Sequence, residues 1–171
     1  TESISVKFGG EIFSKSFNQI YDMAQDSTRY DLNFNNNISS VFIETDLKGG
    51  SKVAARLGGR IEHSSLLNES TLVPRLSIAY KTTERSQVSI AYGIFYQVPQ
   101  NNYLKFNNHL RSEKASHYIM NFQYQHENRT LRIEAYYKDY RKLVKYDYQN
   151  SPEPDSYNND GYGMAGGIDI F

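Results

Sequence analysis

Hydrophobic and polar residues alternate along most of this chain with a period of two, the spacing of strands that turn one face to an apolar environment. The pattern is clearest between Leu72 and Gln97. In its first run Leu72, Leu76, Ile78 and Tyr80, with Pro74 among them, point one way, and Val73, Arg75, Ser77 and Ala79 the other. After Lys81 and a polar break, Val88, Ile90, Tyr92, Ile94 and Tyr96 oppose Ser89, Ala91, Gly93, Phe95 and Gln97. The two runs predict a hairpin with one apolar face and one mostly small or polar face.

The same plan repeats on either side. Ile4, Val6, Phe8, Gly10 and Ile12 oppose Ser5, Lys7, Gly9 and Glu11; Val41, Ile43, Thr45 and Leu47 oppose Ser40, Glu44 and Asp46, with Phe42 breaking the rule. Val53, Ala55, Leu57 and Ile61 oppose Arg56, Gly58, Arg60 and Glu62, a run of charge and glycine that does not suit the inside of a packed sandwich. Tyr118, Met120, Phe122 and Tyr124 oppose His117, Asn121 and Gln123, and Leu131, Ile133, Ala135 and Tyr137 oppose Arg132, Glu134, Tyr136 and Lys138. Met164, Gly166, Ile168 and Ile170 oppose Ala165, Gly167, Asp169 and Phe171.

About eight strands are thus expected, with connections that alternate in length. Long ones are predicted at 15–37 (an Asn- and Ser-rich loop carrying a raised hairpin), 64–71, 98–112 and 150–161, and short ones at 48–51, 82–86 and 126–129. Long loops on one rim and tight turns on the other are the layout of an all-β, antiparallel, up-and-down transmembrane β-barrel. Tyr80 and Tyr124 fall near the short-turn rim and Tyr96, Tyr118 and Tyr137 near the long-loop rim, as interfacial aromatic girdles require.

Composition narrows the classes. In 171 residues, 19 basic and 19 acidic side chains cancel, so no bulk field recruits nucleic acid, and none is expected as a partner. Cysteine is absent, which removes disulfide frameworks and thiolate metal sites. No run reaches the roughly 18 apolar residues of a membrane helix, but a membrane strand needs only about 9 to 11 alternating ones. The start at Thr1, without Met or a signal-like segment, predicts a mature chain or an excerpt. Phe171 sits on the face of Asp169 rather than on the apolar face expected of a barrel's terminal aromatic, which favours an excerpt.

Candidate chemistry is sparse. His63, His109, His117 and His126 show no metal-binding spacing, so neither metal nor cofactor is expected. Asp155, Asn158, Asn159 and Asp160 offer calcium-friendly oxygens but depart from the EF-hand order, and read as a solvated loop. No phosphate loop, nucleophile elbow or hydrolytic triad is present, and no enzyme is expected.

The succession RLGGRIEH at 56–63, LVPRLSIAY at 72–80 and QVSIAYGIFYQVP at 87–99 resembles the barrel of TonB-dependent outer-membrane receptors, especially those of Bacteroidetes-type bacteria. In that family a strand ending in a Gly-x-Arg-like element precedes a Pro-Arg-Leu strand and then one closing in Tyr-Gly-x-Phe-Tyr-Gln-x-Pro. LRIEAYYKDYRKLV at 131–144 and GYGMAGGIDIF at 161–171 fit the same order. The resemblance implies a segment of a wall of about 22 strands around a plug domain, with plug and remaining strands outside this chain. It further implies a bacterial outer-membrane location, contact with outer-membrane lipid, and TonB-energised uptake of a scarce nutrient such as a ferric chelate. The cargo, whether small molecule or metal chelate, would meet the loops, where Tyr103, His109, Arg111, Tyr148 and Tyr157 are the candidate contacts. The C-terminal patterns of the glycan-importing subgroup are not matched, which leaves ferric chelates, other metal complexes, vitamins and peptides open. Two other readings stay open at this level: a complete eight-stranded barrel with a structural or adhesive role, and a soluble β-sandwich binding module.

Overall fold

The computed structural model describes residues 3–22, 29–147, 149 and 156–171. They form one antiparallel sheet of eight strands in sequence order: β1 (Ile4–Asp22), β2 (Arg29–Gly49), β3 (Val53–Ser64), β4 (Glu69–Lys81), β5 (Ser86–Gln97), β6 (Glu113–His126), β7 (Arg129–Tyr146) and β8 (Tyr157–Ile170). One helical turn, α1 (Asn101–Leu104), lies between β5 and β6. Among the described residues β1 and β8 do not pair with each other, so the sheet is an open curtain and not a closed eight-stranded barrel.

Register keeps every face in phase. Ile78 is opposite Ile90, Ile90 opposite Met120, Met120 opposite Ala135 and Ala135 opposite Ile168, so the alternating residues of successive strands merge into one apolar surface. That surface is uncovered: Phe8 and Ile12 are each 83% exposed and Ile168 70%. A water-soluble sandwich would bury this face against a second sheet. Among the described residues the buried apolar side chains include Val73, Pro99, Leu104, Leu110 and Tyr157, of which Leu104, Leu110 and Tyr157 cluster at the long-loop end.

The 15–37 region differs from expectation. It is not a loop with a raised hairpin: β1 and β2 pair without interruption from Ile4 and Leu47 to Asp22 and Arg29. Phe17 and Phe34 stack at 5.0 Å across the pair, and Ser14 donates from Oγ to Asn37 Oδ1 at 2.8 Å. From Ile4 to Ile12 the apolar stripe covers roughly 26 Å along the strand at about 3.3 Å per residue, near the height of a membrane band once tilted. Beyond Ile12 the outward positions are Ser14, Ser16 and Asn18, so the hydrophobic contrast ends where the ladder does not. The connection after β3 is likewise shorter than expected, residues 65–68, with Asn68 taking a positive φ of 47°. β8 begins at Tyr157, inside the loop expected over 150–161, of which 150–155 lie outside the described residues.

The tight turns hold as expected. Gly50, at φ +66°, closes β2 to β3, and Glu127, at φ 52°, closes β6 to β7. A β-bulge marks β7, where register with β8 shifts between Arg141 and Leu143 and Lys142 has φ 57°.

Candidate functional site

Fixed register lines up the polar-face residues in rows. One row crosses all eight strands as Lys7, Glu44, Gly58, Arg75, Gly93, His117, Lys138 and Ala165. Around its first three positions the charges are matched. Arg56 Nε lies 2.6 Å from Asp46 and 3.4 Å from Glu44, and Lys7 Nζ lies 3.3 Å from Asp46. Arg60 bridges Glu11 at 2.8 Å and Glu62 at 3.1 Å. On β7 Arg132 pairs with Glu134, which also accepts from Asn121 Nδ2 at 3.3 Å. Single exposed pairs contribute little, but this network leaves a wet, charged wall without a large net field.

Three aromatic rings lie flat on that wall, each over a glycine. A Cβ at Gly9 would meet the Phe42 ring at 2.8 Å, one at Gly93 the Phe95 ring at 3.0 Å, and one at Gly167 the Tyr136 hydroxyl at 2.7 Å. Phe42, the exception to the polar pattern, is therefore seated by the glycine of the neighbouring strand. Cations cover two of these rings, Arg75 over Phe95 at 5.0 Å and Lys138 over Tyr136 at 5.2 Å.

At the long-loop end the 98–112 connection folds over the polar face. Leu104 and Leu110, each 3% exposed, and Tyr157, 5% exposed, form a small core against which Phe34, Leu66, Leu67, Tyr103 and Phe106 pack. Phe34 shares the face of Ser40 and Glu44, which puts the loop on the charged side of the sheet. Lys105 Nζ donates to Gln19 Oε1 at 3.2 Å, reaching β1 from the opposite half of the curtain. Tyr157 stacks on Tyr146 at 5.4 Å and on Phe106 at 5.7 Å.

Side chains join the segments where backbone pairing stops. Asn159 Oδ1 accepts from Arg111 N at 2.7 Å, and its Nδ2 donates to Arg111 O at 3.0 Å and to Lys142 O at 2.9 Å. Glu69 Oε2 accepts from Ser112 N at 2.8 Å, and Glu113 Oε1 from Val144 N at 2.9 Å. Asn36, 2% exposed, accepts at Oδ1 from Ser64 Oγ at 2.9 Å and from Leu66 N at 3.3 Å. The loop core thus rests on amide and carboxylate stitches that meet otherwise unpaired backbone groups.

Of the five candidate contacts, His109 and Arg111 are exposed at the rim of this loop, Tyr103 is half-buried at the edge of its core, and Tyr157 is enclosed within it. Tyr148 lies outside the described residues. The structure brings Arg111 beside Lys142 through Asn159, a grouping no spacing in the sequence indicates. Asn159 itself stood out only as one oxygen in an Asp- and Asn-rich run; its side chain is occupied by the backbone of two other segments.

Comparison with known proteins accounts for this geometry. The family described as "TonB dependent receptor-like, beta-barrel" matches residues 5–170. Among solved structures, the ferric enterobactin receptor of Pseudomonas aeruginosa in complex with enterobactin superposes with a TM-score of 0.83 at 13% identity, over 98% of this chain and 30% of that one. A siderophore receptor of Acinetobacter baumannii gives 0.74 at 15% identity, over 96% and 31%. The ferric-catecholate import receptor of Escherichia coli K12 gives 0.65 at 12% identity, over 99% and 33%. No curated protein matches the chain significantly. The chain spans about a third of the length of these structures, and at such identities they speak to the fold alone. With its family match running nearly end to end, the chain belongs to the TonB-dependent receptor β-barrel family, a family of transport receptors rather than enzymes.

Proposed function

We propose that this chain is a wall segment of a bacterial outer-membrane receptor that takes up a scarce nutrient, a ferric chelate being the leading candidate, with energy supplied through TonB. The observation that carries the reading is the two-faced curtain: an apolar face left open on every strand, backed by a lumenal face of ion pairs and flat aromatics. Lipid covers the first, and the lumen, with the plug and the remaining strands of the longer protein, occupies the second. His109 and Arg111, exposed on a loop that folds inward, are the cargo-contacting candidates, with Tyr103 at the loop's edge. Ferric enterobactin, ligand of the P. aeruginosa neighbour, is a reasonable first probe.

The test is accumulation of radiolabelled iron chelates by cells carrying the full-length receptor, with and without TonB. Uptake that needs both receptor and TonB supports the reading; uptake of no chelate, with the protein present in the outer membrane, overturns the ferric chelate as its cargo. His109→Ala combined with Arg111→Ala is expected to weaken cargo binding at least fivefold while leaving the barrel folded.

A further inference from the structure

The lumenal face carries four arginines on β3, β4 and β7: Arg56, Arg60, Arg75 and Arg132. Three are matched to acids, Arg56 to Asp46 and Glu44, Arg60 to Glu11 and Glu62, and Arg132 to Glu134. Among the described residues Arg75 has no ion pair. Its guanidinium is instead held over the ring of Phe95 at 5.0 Å, and Phe95 leans on the imidazole of His117 with centroids 4.6 Å apart.

The neighbourhood keeps that arrangement open. Arg75 has glycines opposite it on both sides, Gly58 on β3 and Gly93 on β5. Gly93 also lets Phe95 lie back, since a Cβ there would stand 3.0 Å from its ring. Gly93 lies in a hollow of about 240 Å³ whose walls also include Arg56, Arg75, Leu76, Tyr92, Phe95 and His117. Glu44 also borders it, but Arg56 and Lys7 already engage that carboxylate. Pairing of β4 with β5 ends at Arg75 and Gly93, so residues 69–74 and 94–97 have no registered partners across this seam and the hollow faces the mouth. Lys138, in register with His117 and without an ion pair among the described residues, adds positive charge.

A ring against a guanidinium shields one side of it without using any N–H group. With its donors left free, a guanidinium takes a carboxylate by two parallel hydrogen bonds, and a ring that limits its motion lowers the ordering cost. We propose that Arg75 is a carboxylate-receiving site on the lumenal wall, the acid lying in the hollow beside Phe95 and His117. The carboxylate belongs either to a small molecule in the lumen or to an acidic side chain of the longer polypeptide. The inference rests on the polar face being lumenal, as in the uptake reading, and not on uptake itself.

The full-length receptor in detergent provides the test. Arg75→Lys keeps the charge and supplies an amine that a water-soluble carbodiimide couples to a carboxylate in contact; Lys7, 3.3 Å from Asp46, is the internal reference. Saturation-transfer NMR with benzoate reads a free acid. A coupling from Arg75→Lys to an acid outside residues 1–171, at a yield like that of Lys7, assigns the site to the polypeptide. A saturable benzoate signal that weakens about tenfold in Arg75→Gln and persists in Lys7→Gln assigns it to a small molecule. Neither result, with the Lys7 coupling intact, overturns the proposal, and so does benzylamine competing as well as benzoate. No arm measures iron uptake, so failure of the transport reading and failure of this site are separately visible.

Discussion

Gly161 shows how much one hydrogen atom can matter in this wall. It sits opposite Leu143 just past the β7 bulge, where an added Cβ would come 2.5 Å from the Leu143 carbonyl oxygen and 2.8 Å from its Cβ. Neither neighbour is the free end of a side chain, so backbone must move. Gly161→Ala is expected to cost about 1–3 kcal/mol, in the range of overpacking. At Gly163 the nearest atom to an added Cβ is Leu143 Cδ1 at 3.8 Å, and Gly163→Ala should change stability little. Urea unfolding of the two variants of the full-length receptor in detergent checks the contrast; equal midpoints would refute it. Asn159 acts at the same scale with the opposite chemistry. Asn159→Ala removes both hydrogen bonds to the Arg111 backbone and the one to Lys142. Hydrogen exchange at the Arg111 amide should then quicken by about one order of magnitude, corresponding to roughly 0.5–1.5 kcal/mol for the loss of an exposed hydrogen bond.

At the scale of elements, the loop between β5 and β6 behaves as a small domain resting on the lumenal face. Its stability depends on Leu104 and Leu110, each 3% exposed. Leu104→Ala is expected to cost about 2–4 kcal/mol locally, as a cavity in a core too small to collapse around it. Limited proteolysis should then cut within residues 98–112 while the strands stay intact; loss of the whole sheet would show that the loop core is not a separate unit. This arrangement also explains what could be read from the sequence. All eight strands were legible over the apolar band, because there the two sides of a strand differ sharply in hydrophobicity. Above the band both sides are wet, so Ser14, Ser16, Asn33 and Asn35 carry no contrast and the β1–β2 ladder reads as loop although its backbone pairing continues. Tyr157 reads as a cargo contact for a related reason. An aromatic in a polar loop has no periodic neighbours to reveal that Leu110 and Phe106, nearly fifty residues earlier, close around it. Arg111 and Lys142 become neighbours only through Asn159, a side-chain contact invisible to any period.

For the molecule as a whole, the two faces of the curtain differ sharply in polarity, and the same substitution should have unequal consequences on each. Ile90 is 52% exposed, in register with Ile78 and Met120, well inside the apolar band. The next residue back, Ser89, faces Ala79 and Asn121 on the lumenal side. If lipid covers the first face and water the second, Ile90→Arg places a charge near the middle of the bilayer and should cost about 2–4 kcal/mol, whereas Leu131→Arg, beside the β6–β7 turn, should cost about 0–1 kcal/mol because its guanidinium reaches the interface. Ser89→Arg should fall within about 0.5 kcal/mol of the parent, as a surface change does. The measurement is reversible unfolding of the full-length receptor from lipid vesicles, with the three variants in parallel. A sheet whose apolar face meets protein instead of lipid predicts a different order: Leu131→Arg and Ile90→Arg would be comparably damaging, since a packed interior has no depth gradient from rim to centre. The gradient between those two positions, more than the absolute loss at either, is therefore the quantity that identifies the bilayer as the medium this chain was patterned for.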